Sequence, residues 1–495
     1  MDRRQFCRAT LAASVASAYP FLASFGREAT VAARADTGIP AISLDGAQIE
    51  LEKAAINELA DSLTGEVLLS GHPRYDSARM IWNGMHDKRP ALIARCRSAE
   101  DVSQAVTFAR ERDLLVAVRG GGHSWPGKSV CEGGLVIDLS VMNGVKVDPD
   151  ARRARAGGGA LLYSLDNAAR AHGLITTAGV VSHTGVGGYT LGGGFGRLNR
   201  KFGLTIDNLK SAQIVTADGR IRRVSDEQDA DLFWAIRGGG GNFGVVTEFE
   251  YQLHPFPLRP YLGVVVWPIE QADEVLDFYG DWQAGLSDEL YTGPNLVTLP
   301  DGQGVLVMEV VYAGDPAAGE REAAPLFGIG KPIDNTVGLN DYLEFQTKED
   351  AAVGHGIRSY AKSAMVKNLS QELLDALREG FVPDPRIGMF THTAGGAVKR
   401  VDESATAFPH RNAETMLVFA GFWTEAAQDN EVIAAVREYH ARTEPFAGDY
   451  YDNIDFERSK ETANYGPAYK RLAKVKAKHD AGNLFRLNSN VKPAA

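Results

Sequence analysis

Arg119-Gly120-Gly121-Gly122-His123-Ser124-Trp125-Pro126-Gly127 follows directly on the short apolar run Leu114-Leu115-Val116-Ala117-Val118. Three glycines at the end of a strand permit positive φ and gather backbone N–H groups into an anion nest, which can cradle a diphosphate without a lysine. Alone, a triple glycine is equally a permissive turn. A second tract sharpens it: Gly185-Val186-Gly187-Gly188-Tyr189-Thr190-Leu191-Gly192-Gly193-Gly194-Phe195-Gly196 holds seven glycines in twelve positions. Such a tract lets backbone approach a flat ligand closely, at an entropic cost a ligand-free fold has little reason to bear. A third cluster, Gly238–Gly241 followed by Asn242-Phe243-Gly244-Val245-Val246-Thr247, joins them. Glycine is 53 of 495 residues, against roughly 7% in ordinary usage, and it gathers in these clusters. No strand–helix–strand unit with an acidic ribose partner surrounds Gly192–Gly196, and no Walker lysine follows any glycine run, so neither familiar phosphate fingerprint applies.

Working outward, Ser98-Ala99-Glu100-Asp101 resembles a capping box, and Val102, Ala105, Val106 and Ala109 continue at helical spacing. Gly134–Leu139 reads as a second strand, Gly157-Gly158-Gly159 closes a third, residues 160–172 form an amphipathic helix, and residues 45–85 look mainly helical. After Tyr251-Gln252-Leu253-His254-Pro255 the glycine clusters stop. Longer strands such as Val305–Tyr312 and Met416–Trp423 alternate with amphipathic helices near 270–287, 370–379 and 430–444. The expected fold class is α+β, with a second domain whose antiparallel sheet is covered on one face by helices. Trp423, Phe422, Trp267 and Tyr312 sit on its strands, where aromatic residues are more often core than ligand wall.

The formal charge is −11 with no basic stripe, which disfavours nucleic acid and anionic membrane surfaces and favours a small-molecule partner. The first 35 residues are basic instead. Asp2-Arg3-Arg4-Gln5-Phe6 resembles a twin-arginine signal, followed by a mild apolar stretch Ala9–Ala23 and a small-residue site Ala33-Arg34-Ala35. The other reading is a basic N-terminal helix. The apolar stretch is too short and alanine-rich for a membrane span, so none is expected in the mature chain. Export would place the protein in the periplasm or outside the cell. Of three cysteines, Cys7 would leave with the signal. Cys96 and Cys131 make neither a disulfide framework nor a metal-ligand spacing, so no metal is expected.

Several linked motifs in order make the chain recognisable. The RGGGH tract, Gly179–Gly196 and Ile236-Arg237-Gly238-Gly239-Gly240-Gly241-Asn242-Phe243-Gly244 are joined by Gly395-Gly396-Ala397-Val398 and Thr406-Ala407-Phe408-Pro409-His410-Arg411. Tyr465-Gly466-Pro467-Ala468-Tyr469-Lys470-Arg471-Leu472 and the tail Asp480–Pro493 complete the set. Together they resemble FAD-linked oxidases of the vanillyl-alcohol-oxidase and p-cresol-methylhydroxylase (PCMH) superfamily, in particular bacterial berberine-bridge-enzyme-like proteins. The resemblance implies a signal at 1–35, a PCMH-type FAD domain at 88–256, a substrate domain at 257–446, and a C-terminal segment 447–495 completing the FAD domain. It implies FAD held by Arg119, Gly120, Gly121, Gly122, Ser124, Thr184, Gly185, Gly187, Gly188, Gly192, Gly193, Gly194, Gly196, Gly244, Val246 and Asn488. His123 falls where the family bonds a histidine to the flavin 8α-methyl; in isolation it would read as a loop histidine capping a turn. A second, cysteinyl link would need cysteine at Val181, so one covalent attachment is expected.

The resemblance also implies the chemistry. The flavin takes hydride from an alcohol, amine or activated C–H while a protein group takes a proton. Tyr451, in Tyr451-Asp452-Asn453, falls on the family's Tyr-x-Asn motif, with Asn453 to orient it; the alternative is a hydrogen-bonded core tyrosine. Phe202 stands where many relatives have a second tyrosine, and Tyr189 where some have histidine, so Asp452 or His183 could contribute instead. Thr184 sits at the position that gates oxygen in plant relatives and leans toward an oxidase giving hydrogen peroxide, though it could equally be a packing threonine. The competing readings are a dehydrogenase with another electron acceptor and a secreted binding protein without chemistry.

Overall fold

The structure, a computed structural model, describes residues 35–455 and 464–495. The signal-like segment therefore lies almost wholly outside the described residues. Leu92–Arg95, Val116–Arg119 and Leu135–Asp138 form a parallel core in which Leu135–Asp138 lies centrally, and Glu66–Leu69 adds antiparallel to Leu92–Arg95. Helix Ala99–Glu111 links the first two, its start held by Ser98, whose Oγ accepts the Asp101 N–H at 3.2 Å. Residues 45–85 depart from the mainly helical expectation. They hold helices Lys53–Ser62 and Tyr75–Arg79, but also strands Gln48–Leu51 and Glu66–Leu69. All four residues of Glu66–Leu69 are buried on both faces, so burial against the sheet overrides any local helical preference.

A second sheet of five antiparallel strands runs in the order Ile221–Ser225, Leu209–Val215, Val245–Gln252, Arg153–Gly157, Val145–Asp148. One apolar core joins this sheet to helices Leu162–Arg170, Ala230–Ile236 and Tyr469–His479. The C-terminal helix thus returns to the first lobe, with Leu472 inside that core and the Arg471 guanidinium 4.0 Å over the Trp234 ring.

The third sheet makes the second lobe. Its main path runs Asp334–Asn335, Tyr261–Pro268, Gly304–Tyr312, Leu290–Thr298, Ile387–Thr393, Thr415–Trp423, Arg358–Val366, Ala447–Asp449, with antiparallel pairing throughout. Alternation sorts its two faces. Leu290, Leu296, Leu306, Met308, Met389, Leu417, Phe419 and Trp423 point into a core under helices Ala272–Trp282, Gln371–Gly380 and Asp429–Ala441. The opposite face turns toward the glycine tracts. Because Ala447–Asp449 still pairs with Arg358–Val366, the chain leaves this sheet only after residue 449.

Candidate active site

A cavity of about 360 Å³ opens between the glycine tracts of the first lobe and the uncovered face of the large sheet. Two of its walls meet backbone to backbone. A Cβ on Gly121 would lie 2.6 Å from the Gly185 amide nitrogen, and one on Gly185 would lie 2.6 Å from the Gly121 Cα. Only glycine allows that approach, so this part of the glycine content serves the joining of two loops. Gly188 differs: a Cβ there would meet nothing within 4 Å, and the residue lines the cavity. Gly120, Gly121, Gly122, His123, Ser124, Thr184, Gly185, Gly187, Gly244, Val246 and Asn488 line it as well.

Five residues assigned to the cofactor by resemblance sit elsewhere. Arg119 does not line the cavity; its guanidinium donates to the Ala78 carbonyl and ties the strand end to the neighbouring helix. Gly192, Gly193, Gly194 and Gly196 also lie off it. A Cβ at these positions would press on Asn453, the Phe408 ring, Thr205 and the Ala178 carbonyl respectively, so their need for glycine is met by protein neighbours. Gly193 and Gly194 also hold φ of 129° and 83°, values a side chain resists.

His123 sits at the turn where Gly122 adopts φ 70°. Its ring stacks on Trp82, with centroids 4.1 Å apart and planes 13° from parallel, and it lies 5.0 Å from the His183 ring. Its Nε2 is buried without a hydrogen-bond partner. Burial, helped by His183 and His355, pushes the imidazole well below the usual histidine range, so the ring is neutral and a lone pair is available. Trp82 had no mark in the sequence. It lies before the glycine motifs, and its role comes from backbone pairing, since its N–H donates to the Gly122 carbonyl at 2.9 Å.

At the other end stands Tyr451, buried edge-to-face against Phe195 at 5.3 Å. Its oxygen accepts the Gly194 N–H at 3.1 Å and Asn453 Nδ2 at 2.9 Å. Burial pushes the phenol up, and these two donors pull the other way. With both lone pairs engaged by donors, the hydroxyl proton is the group left to give. Asp452 is ion-paired with Lys128 at 3.2 Å and bonded by Asn464 Nδ2 at 2.9 Å. His183 is near His123 but does not line the cavity, and Phe202 stacks on His254 away from it. Val181 and Thr184 both line the cavity, while Cys131 is buried elsewhere with its thiol pushed up to about 12. Of the four sheet aromatics, Phe422 reaches the cavity, and Trp423, Trp267 and Tyr312 belong to the helix-covered core.

Residues that sequence motifs did not mark also face the cavity, most of them from the second lobe. Arg197 holds Glu309 through two N–H donors at 3.1 and 2.9 Å, and Lys348 bonds the same carboxylate at 3.0 Å. His392 and Asn295 line the cavity from the sheet. Asn295, Glu309 and His392 come from three strands spread along the chain, and strand alternation brings them to one face.

A neutral buried histidine with a free nitrogen, and an open glycine on the cavity wall where a Cβ would intrude, fit FAD. A family model described as an FAD binding domain matches residues 90–225, and one described as berberine and berberine like matches 450–492. An FAD-linked oxidoreductase of Dictyostelium discoideum is 32% identical over 446 residues, covering 88% of this chain and 97% of that protein. The chain belongs to the berberine-bridge-like FAD-linked oxidoreductases. Within this family, (R)-6-hydroxynicotine oxidase of Paenarthrobacter nicotinovorans is 32% identical over 456 residues, covering 87% of this chain and 97% of that enzyme. The crystal structure of 6-hydroxy-D-nicotine oxidase from Arthrobacter nicotinovorans superposes with a TM-score of 0.79 at 31% identity, covering 88% of this chain and 99% of that one. This berberine-bridge-like oxidoreductase therefore has the PCMH-type FAD domain and sheet-based second domain that its sequence implied. Among its described residues no helix is long and apolar enough to cross a membrane.

Proposed function

We propose that this protein is an oxidase that carries FAD covalently on His123 and oxidises a small alcohol, amine or activated C–H compound, with dioxygen as acceptor and hydrogen peroxide as product. The observation that carries the reading is one cavity running from the glycine loops and His123 to Tyr451 and the open face of the sheet. The bound flavin supplies the two-electron acceptor. The protein's part is to hold and to move protons. Gly121, Gly185 and Gly188 set the shape of the cradle, and neutral His123 offers a nitrogen for the link. Val181 leaves no thiol for a second one. Tyr451, held by Gly194 and Asn453, exchanges a proton with substrate or water, and the two donors to its oxygen would stabilise the phenolate form. Thr184, a small side chain on the cavity wall, supports access for oxygen. A dehydrogenase using a quinone or a carrier protein is the competing form of the same chemistry. Rapid mixing of the reduced protein with oxygen separates the two.

The test of the link is the mass and spectrum of acid-denatured wild type beside His123→Ala. The wild-type chain should precipitate yellow with the mass of one FAD added, and the variant should release its flavin. Free flavin from the wild type would remove the covalent claim, and a colourless protein after reconstitution would favour a binding protein without chemistry. The Arg3-Arg4 segment supports export of the folded, loaded protein, and replacing both arginines with lysine should hold it in the cytoplasmic fraction.

A further inference from the structure

Among the described residues, the charges that line the cavity are Lys128, Arg197, Glu309, Glu349 and Asp452, and Lys348, outside the lining, completes their pairing. Arg197 and Lys348 face Glu309 and Glu349, with all four pairings between 2.9 and 3.9 Å, and Lys128 faces Asp452. With Lys348 counted, these described residues give two cations against two carboxylates and one against one, a balanced set. Much of the remaining second-lobe wall is apolar: Phe390 and the alternate residues Met416, Val418, Ala420 and Phe422 on the neighbouring strand. Among the described residues of this wall, two side chains carry a buried polar atom without a partner, Thr391 at Oγ1 and His392 at Nδ1, and strand alternation puts His392 on the face of Phe390. His392 lies on Ile387–Thr393, opposite Met416 in the antiparallel register, and its Nδ1 is buried without a hydrogen-bond partner. A buried ring nitrogen left unpaired costs free energy that a bound ligand could recover.

We propose that His392 is the specificity-determining residue of this cavity, accepting a hydrogen bond from the hydroxyl or N–H of an uncharged substrate with an aromatic or apolar body. The substrate class rests on the flavin reading of the same cavity. Burial, the larger cause, lowers the His392 ring to about 4, Glu309 raising it and Arg197 lowering it, so it is neutral and has an acceptor to offer. Asn295 stands on the adjacent strand, its Oδ1 fixed by the Thr391 N–H at 2.9 Å, which leaves its amide N–H groups to complement the acceptor.

The experiment titrates purified holoprotein with phenol, benzene, benzoate and benzamidinium, none of which carries a C–H that a flavin oxidises, and reads the perturbation of the flavin spectrum. Wild type should bind phenol about tenfold more tightly than benzene, the size of one neutral hydrogen bond. Both charged probes should bind more weakly than phenol. In His392→Phe the phenol preference should fall to about one, with benzene affinity kept; His392→Gln, which retains an acceptor, should recover part of it. Equal binding of phenol and benzene by wild type, or an unchanged preference in His392→Phe, overturns the role of His392. Tighter binding of benzoate or benzamidinium overturns the neutral substrate. Should His392→Phe not fold, His392→Leu and the wild-type phenol-to-benzene ratio decide in its place. A protein purified without flavin overturns the flavin reading itself, which is a different result from a yellow protein indifferent to phenol.

Discussion

At the scale of single residues, Gly121 and Gly188 share a chemical identity and differ in what surrounds them. Alanine at 121 drives a Cβ into the Gly185 backbone, which is not a flexible side chain that can swing away. Gly121→Ala should lose about 1–3 kcal/mol of stability by overpacking, measured by denaturant titration, and should load less flavin. Alanine at 188 meets open space and sits inside the short helix Val186–Leu191. Gly188→Ala should leave stability unchanged or raise it by up to about 1 kcal/mol, the helix preference of alanine over glycine. Its flavin content alone should fall, because the new methyl projects into the cavity. Tyr451→Phe removes the hydroxyl and leaves the ring packed against Phe195. If that hydroxyl moves the proton, turnover should drop by about 10²-fold or more with flavin content unchanged; a drop of less than threefold would leave Tyr451 a packing residue.

Between elements, what matters is how separate segments hold the site in shape. The third glycine cluster is pinned by the tail. Asn242 Nδ2 donates to Tyr465 Oη at 3.1 Å and the Ser489 carbonyl at 3.0 Å, and buried Lys476 Nζ donates to the Asn242 carbonyl at 2.6 Å. This explains in physical terms why a C-terminal segment separated by some 200 residues belongs to the cofactor lobe. The lobes are joined to each other by Arg197 and the strand Gly304–Tyr312 through Glu309. Burial acts to raise the Glu309 carboxyl, and Arg197 and Lys348 outweigh it and hold it low. Glu309→Gln removes the closest counter-charge of buried Arg197, leaving it Gln346 and the more distant Glu349, and should cost about 3–5 kcal/mol. A double variant with Arg197→Met and Glu309→Leu should recover most of that loss, read from melting curves of the variant set.

For the whole molecule, the interface between lobes carries a titrating group. Asp166, on helix Leu162–Arg170 of the first lobe, is buried and accepts Gln346 Nε2 of the second lobe at 3.3 Å. Burial raises its carboxyl from 3.8 to about 7, against smaller opposing effects of Gln346 and Arg197. The folded form therefore holds a proton that the unfolded chain gives up near pH 4. Its contribution to stability is fully present below that pH and is lost as pH rises through about 7. Asp166→Asn should abolish this slope, so the variant gains on wild type between pH 5 and pH 8 by an amount on the order of 2–4 kcal/mol. Equal pH dependence of the two melting temperatures would show that Asp166 ionises freely in the folded state.

The cofactor lobe was largely legible in the chain. Glycine tracts, capped helices and short apolar strands are local features, governed by φ preferences and side-chain periodicity, and they stand in a linear order that a sequence displays. The glycines themselves were legible only as a group. Whether one opens to a ligand, like Gly188, or to another loop, like Gly121, depends on which segment approaches it. Trp82, Arg197, Glu309 and His392 were not legible as site residues, because each lies in an ordinary strand or turn and acquires its place through sheet register and the closing of two lobes. The chain by itself determined the family, its FAD-binding domain and the candidate histidine and tyrosine. Only the tertiary structure decided which face of the second sheet meets them, since burial, charge pairing and an unpaired nitrogen are properties of neighbours distant in sequence.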